Sequence, residues 1–174
     1  MKIRFKQDKK TILKLLETSG IKRRLRILDR LNGVNEKDSI NILLKVLEDN
    51  SWVMREKAAY KLAEYGNRVV QRLIRLLKRG FWYTRAAACL TLGEIGNIKA
   101  LEAIVTLILD DDNPTVIKEA SSALLKLARK EPVLFADGLK NLSLIQEKKK
   151  EILKIIEDAE PELYTVIMKE LENE

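Results

Sequence analysis

One pattern is written three times in this chain, and it restricts the fold more than any other feature. Met54-Arg55-x-x-Ala58-Ala59-x-x-Leu62-x-x-Tyr65-Gly66-Asn67 returns as Thr84-Arg85-x-x-Ala88-Cys89-x-x-Leu92-x-x-Ile95-Gly96-Asn97. It returns again, in weaker form, as Val116-Ile117-x-x-Ala120-Ser121-x-x-Leu124-x-x-Leu127-Ala128-Arg129. The copies are offset by 30 residues (54 to 84) and 32 (84 to 116). A period between roughly 20 and 50 residues marks a solenoid or a related array. In such an array each unit covers the apolar face of the next, and the product is an extended surface. Binding is therefore the expected style of function.

Each copy reads as a helix with a crossing point. The pairs Ala58-Ala59, Ala88-Cys89 and Ala120-Ser121 are small enough for a second backbone to come close. Leu62, Leu92 and Leu124 follow four residues after the first small residue, on the same helix face. Gly66 and Gly96 stand where a left-handed residue closes a helix, and Asn67 and Asn97 suit the N-cap of the next one. Before each copy lies another amphipathic segment, at 38–49, 68–79 and 99–110, with Ile40, Leu43, Leu44 and Leu47 as the stripe of the first. Alternation suited to strands is nowhere sustained. The spacing predicts an all-α, right-handed α-solenoid of about five antiparallel helix pairs, forming a single domain over 1–174. Its clear repeats are 37–66, 67–97 and 98–130, and degenerate capping units fall at 1–35 and 131–174. The first capping unit pairs 9–18 with 21–32, where Ile21, Leu25, Leu28 and Leu31 form the stripe. The last pairs 132–141 with 143–158 and adds a helix at 161–172, with Leu163, Val166, Ile167 and Leu171 on its apolar face and Pro161 at its first position.

Composition removes several function classes. The chain has no histidine, which excludes a Ser-His or Cys-His nucleophilic pair and a histidine metal site. The single cysteine, Cys89, occupies the position of Ala59 and Ser121 and reads as a small core residue. No Gly-rich phosphate loop is present, so the chain reads as no enzyme and as needing no cofactor and no metal. Glu157, Asp158, Glu160 and Glu162 lack the loop and spacing of a calcium site. No run of about 18 apolar residues occurs and no signal peptide is evident, so the expectation is a cytoplasmic protein without a membrane partner. A monomer is the default oligomeric state.

The pattern Arg-x-x-Ala-Ala-x-x-Leu-x-x-x-Gly-Asn, preceded by Asp49-Asn50 or Asp111-Asp112-Asn113-Pro114, resembles HEAT repeats, in particular the short variety shared with phycobilin lyase subunits. The resemblance covers about residues 37–130. It implies that the second helix of each pair lines the concave surface and the first the convex side. It implies also that Arg55 and Arg85, with Asp49 and Asp111, bond between neighbouring repeats as structural groups. The fourth unit departs, with Ile117 for the arginine and Ala128-Arg129 for Gly-Asn. The middle unit carries Arg79 where the aspartate belongs, so the Asp–Arg ladder is interrupted.

Charge is uneven. Residues 1–30 hold eleven Lys/Arg and three acids, residues 51–80 eight and two, and residues 141–174 five and nine, within an overall net charge of +7. Arg68, Arg72, Arg75 and Arg79 fall within about 60° of one another on a helix. Arg23, Arg26 and Arg30 form a second row on 21–32. Such rows suit phosphates or an acidic protein, whereas their plainer reading is a solvated outer face. Lys148-Lys149-Lys150 reads as a solvated face. Trp52 and Trp82 stand one repeat apart at the turn before the second helix, and Phe81-Trp82-Tyr83 sets three of the nine aromatic residues in a row. They suit anchors for a partner, or plugs that seal each turn.

The expectation is a non-enzymatic scaffold mediating protein–protein interaction, with an acidic protein as partner. Trp52, Trp82, Arg68, Arg72, Arg75, Arg79, Arg23, Arg26 and Arg30 are its candidate contacts. The alternative is a nucleic-acid-binding protein using the basic half, 1–80. The resemblance extends to DNA glycosylases with basic concave surfaces, whose catalytic pattern is absent here. It extends also to hydroxylases that hold iron with His-Glu motifs, which a chain without histidine cannot supply.

Overall fold

The computed structural model describes residues 8–173, and helix is the only regular secondary structure among them. Residues 1–7, with Lys2, Arg4 and Lys6 of the basic N-terminal segment, and residue 174 lie outside the described residues. In chain order the helices are α1 (Lys9–Thr18), α2 (Ile21–Asp29), α3 (Glu36–Val46), α4 (Trp52–Ala63), α5 (Asn67–Arg79), α6 (Trp82–Ile95), α7 (Leu101–Asp110), α8 (Pro114–Lys130), α9 (Pro132–Asn141), α10 (Gln146–Ala159) and α11 (Pro161–Glu172). Short 3-10 turns at Leu31–Gly33 and Ile98–Ala100 lead into α3 and α7.

Local chemistry sets the ends. Asp8, Asn35 and Asn113 are N-caps whose side chains accept backbone N–H groups of the first turn, and Pro114 follows the last at the first helical position. Gly96 closes α6 at φ 63, the left-handed residue expected there. Gly66 also has positive φ but ψ of −132, and it sits at the N-cap of α5. Asn67 is thus the first residue of α5 and not its cap, and Asn97 caps the 3-10 turn before α7 by accepting from Lys99 N–H. The two asparagines meet instead across repeats, Asn97 Nδ2 donating to Asn67 Oδ1 at 2.5 Å.

The helices form two layers. α3 packs on α4, α5 on α6 and α7 on α8, with α1 and α2 a looser first pair. The second helices α2, α4, α6 and α8 stack in order, and the contact of α6 with α8 is the most extensive in the molecule. Ala58, Ala59, Ala88, Cys89 and Ala120 are fully buried at these crossings, and Leu62, Leu92 and Leu124 are buried beside them. Each such leucine contributes roughly 1.5–3 kcal/mol on leaving water. Burial pushes the Cys89 thiol far above its ordinary range, so the sulfur is an inert core group.

The C-terminal end is arranged differently from the expected pairing of 132–141 with 143–158. α9 packs chiefly on α11, and α11 also on α10. Among the described residues nothing covers the outer side of the last layer, and Val166 on α11 is exposed although it belongs to the apolar stripe, as is Ile21 on α2 at the other end.

Candidate partner-binding edge at the first-to-second helix turns

The turns before α4, α6 and α8 are neighbours: Arg55 lies against both Trp52 and Tyr83, and Arg85 joins Gly80 to Asp111. Trp52 is the first residue of α4, Trp82 the first of α6 and Pro114 the first of α8, while Phe81 is the N-cap of α6. A residue starting a helix at a short turn has neighbours on one side only. Trp52 is accordingly 37% exposed, Trp82 45% and Phe81 69%. Tyr83 is half-buried and organises the group: its ring stacks on Phe81 at 5.5 Å and meets Trp82 edge-on at 5.6 Å. Phe81 and Tyr83 reach back past the end of α3 and, with Leu13, Leu16, Val46 and Asp49, line a pocket of about 280 Å³. The rings stand partly in solvent along the edge.

Behind the rings runs the ladder of charges. Arg85 grips Asp111 of the next unit with two hydrogen bonds, Nε to Oδ2 at 2.7 Å and Nη2 to Oδ1 at 2.9 Å, and its Nη1 donates to the Gly80 carbonyl at 3.0 Å. Burial opposes ionisation of Asp111. The Arg85 hydrogen bonds, the Asn113 N–H and the Arg85 charge together outweigh it and hold the carboxyl below its ordinary range. Two repeats earlier, Arg24 pairs with Asp49 through Nη2 alone, its Nε buried without a partner. This rung is invisible to the Arg-x-x-Ala-Ala pattern, although Arg24 lies one repeat before Arg55 (24 to 55). Asp49 thus pairs backwards with Arg24, and Arg55 takes only its backbone carbonyl, Nη1 to O at 2.5 Å. The guanidinium of Arg55 lies instead 5.4 Å from the ring centre of Trp52 and 5.0 Å from that of Tyr83.

The α5 arginines divide. Arg68 pairs with Glu36, donates to the Tyr65 carbonyl and lies over the Tyr65 ring, and Arg72 donates to Asn41 Oδ1. Both tie α5 to α3 and are not free contacts. Arg75 and Arg79 are exposed and make no hydrogen bond or ion pair to a described residue. Arg23 and Arg26 are exposed on α2, and Arg30 at its C-cap is engaged. Because α2 belongs to the layer of second helices and α5 to that of first helices, the two rows do not join into one surface. Lys148 reaches Asp110, Lys149 the Lys140 carbonyl, and Glu160 is held by Arg129 at 2.7 Å. No group of potential metal ligands occurs among the described residues, and no described helix is long and apolar enough to cross a membrane.

The family model of HEAT repeats matches residues 40–125. This segment is an array of HEAT repeats. No curated protein matches the chain. Among solved structures, the chain is similar to one in the complex of CpcE and CpcF of phycocyanin lyase from Nostoc sp. PCC7120, with 19% identity and a TM-score of 0.48, over 91% of this chain and 68% of that chain. The HEAT segment spans α4, α6 and most of α8, and so includes the intact rung Arg85–Asp111, the broken one at Arg55 and the aromatic edge.

Proposed function

We propose that this chain is a non-catalytic HEAT-repeat scaffold that binds an acidic protein along the turn edge of the 67–97 unit. The supporting observation is that Phe81 and Trp82 stand exposed at the turn that Arg79 enters, and that Arg79 lacks an internal partner. Large rings with few rotatable bonds, beside arginine, form the usual core of a protein contact. A stacked array holds them in place before binding, so little ordering entropy opposes association. Replacing Trp52 and Trp82 together by Ala is expected to keep the melting temperature within a few degrees, since both rings are partly in solvent. The same variant is expected to lose capture of an acidic protein from nuclease-treated lysate. A collapse of the melting temperature would make the rings structural and overturn the reading.

The nucleic-acid alternative rests on the basic half of the chain. Against it, Arg24, Arg68 and Arg72 are engaged internally and the remaining arginines are divided between two layers. Titration with single- and double-stranded oligonucleotides at rising salt separates the two, because phosphate binding weakens steeply with salt.

A further inference from the structure

The broken rung at Arg55 has a specific chemical deficit. In the intact rungs the aspartate of the following unit neutralises the arginine, and its side chain is only 17% exposed at Asp49 and 4% at Asp111. The residue at the equivalent sequence position for Arg55 is Arg79 (49 to 79 to 111), so this repeat carries a cation in place of the carboxylate. Arg55 and Arg85 are oriented alike: in both, Nη1 donates to a backbone carbonyl of the preceding turn. In Arg85 the opposite edge, Nε with Nη2, is the one that holds the carboxylate. In Arg55 this edge has no acceptor: Nε is buried without a partner, as it is in Arg24, but Arg24 still holds Asp49 through Nη2, whereas no carboxylate meets Arg55 among the described residues. The residue as a whole is only 5% exposed, and its burial pushes the guanidinium pKa down. A buried cation without a counter-charge is unfavourable, and the faces of Trp52 and Tyr83 offset this only in part.

We infer that the gap between Arg55 and Arg79 is a receptor for a glutamate or aspartate side chain of a bound protein, which completes the ladder from outside. The inference rests on the scaffold reading above and supplies its chemistry: the acidic segment lays a carboxylate on the Nη2 end of Arg55 and on Arg79, while its neighbours pack on Trp52, Phe81 and Trp82. Two arginines against one or two carboxylates also make the contact selective, because an uncharged partner would leave both cations without an acceptor.

The test is to fill the gap in cis. Arg79→Asp restores the aspartate of the intact rungs at an exposed position. Pairing with Arg55 is expected to raise the melting temperature by ~3 °C, the shift typical of about one unit of stabilisation in a chain of this size. The probe is a capped hexaglutamate peptide, followed through the emission of the two tryptophans at low salt. Wild type is expected to bind it saturably, and Arg79→Asp to weaken binding by about tenfold or more. Arg26→Asp, on α2, changes net charge equally and is expected to weaken binding by less than about twofold. Absence of saturable binding to wild type, or equal weakening by both variants, overturns the inference. If capture from lysate depends on Trp52 and Trp82 but survives Arg79→Asp, the scaffold reading stands and the carboxylate receptor falls.

Discussion

Arg85 and Arg55 occupy equivalent positions in successive HEAT units, yet only Arg85 meets a carboxylate. What decides is the residue one repeat further on, Asp111 in one case and Arg79 in the other. Because Asp111 is nearly buried, removing its partner should cost more than the pair is worth. Arg85→Ala is expected to destabilise the chain by about 2–3 kcal/mol in denaturant unfolding, and the double variant Arg85→Ala/Asp111→Ala by less than the sum of the two single changes. The pH dependence follows from the same pair. The folded carboxyl titrates below its ordinary value of 3.8, so its contribution is complete above about pH 4 and disappears as pH falls through the folded value. In Arg85→Ala the fall in stability below pH 4 should be shallower. At this scale the sequence was legible in part. Asp49, Asp111 and the anomaly at Arg79 stand out by alignment of the copies. Arg24 does not, because it sits inside the basic run Lys22–Arg26 with no Ala-Ala pair after it. The rings that flank Arg55 come from two different units, and the distance between units is not written in either.

Among the elements, α6 and α8 carry the tightest contact, and a single glycine permits it. A β-carbon at Gly93 would lie 2.9 Å from the Cα of Ala123 and 3.1 Å from its Cβ, both on a rigid helix backbone that cannot step aside. Alanine would favour an isolated helix by roughly 1 kcal/mol over glycine. Here the overlap should outweigh that gain, and Gly93→Ala is expected to lower stability by about 1–3 kcal/mol, with a companion Ala123→Gly recovering part of it. An increase in stability would mean that the two helices can separate without loss. The helices themselves were readable from their 3.6-residue periodicity, α1, α9 and α11 with the expected limits. What the periodicity does not contain is which neighbour an apolar face chooses. Ile152 and Ile156 of α10 and Ile167 of α11 are buried as their spacing requires, but the pairing of α9 with α11 depends on shapes that come together only in the assembled end.

Across the whole molecule, stability should follow the stacking. Each unit touches only its neighbours, so cohesion is a sum of local interfaces and is greatest where a helix is covered on both sides. α4, α6 and α8 meet this condition, and α6 is buried along nearly its entire length. At the C-terminal end α11 buries Ile167 alone and α10 only Ile152 and Ile156. At the other end α1 buries two residues, Ile12 and Leu16, and α2 likewise two, Ile27 and Leu28. The backbone amides of the two ends should therefore open far more often than those of the centre. Native-state hydrogen exchange is expected to show α10 and α11 exchanging first, α1 and α2 next, and α6 only through global unfolding. The edge proposed for partner binding, at Trp52, Phe81 and Trp82, then lies on the most persistent part of the array. Uniform protection from α1 to α11 would contradict this, since it would require the ends to be locked to the centre by interactions that the stacking does not supply.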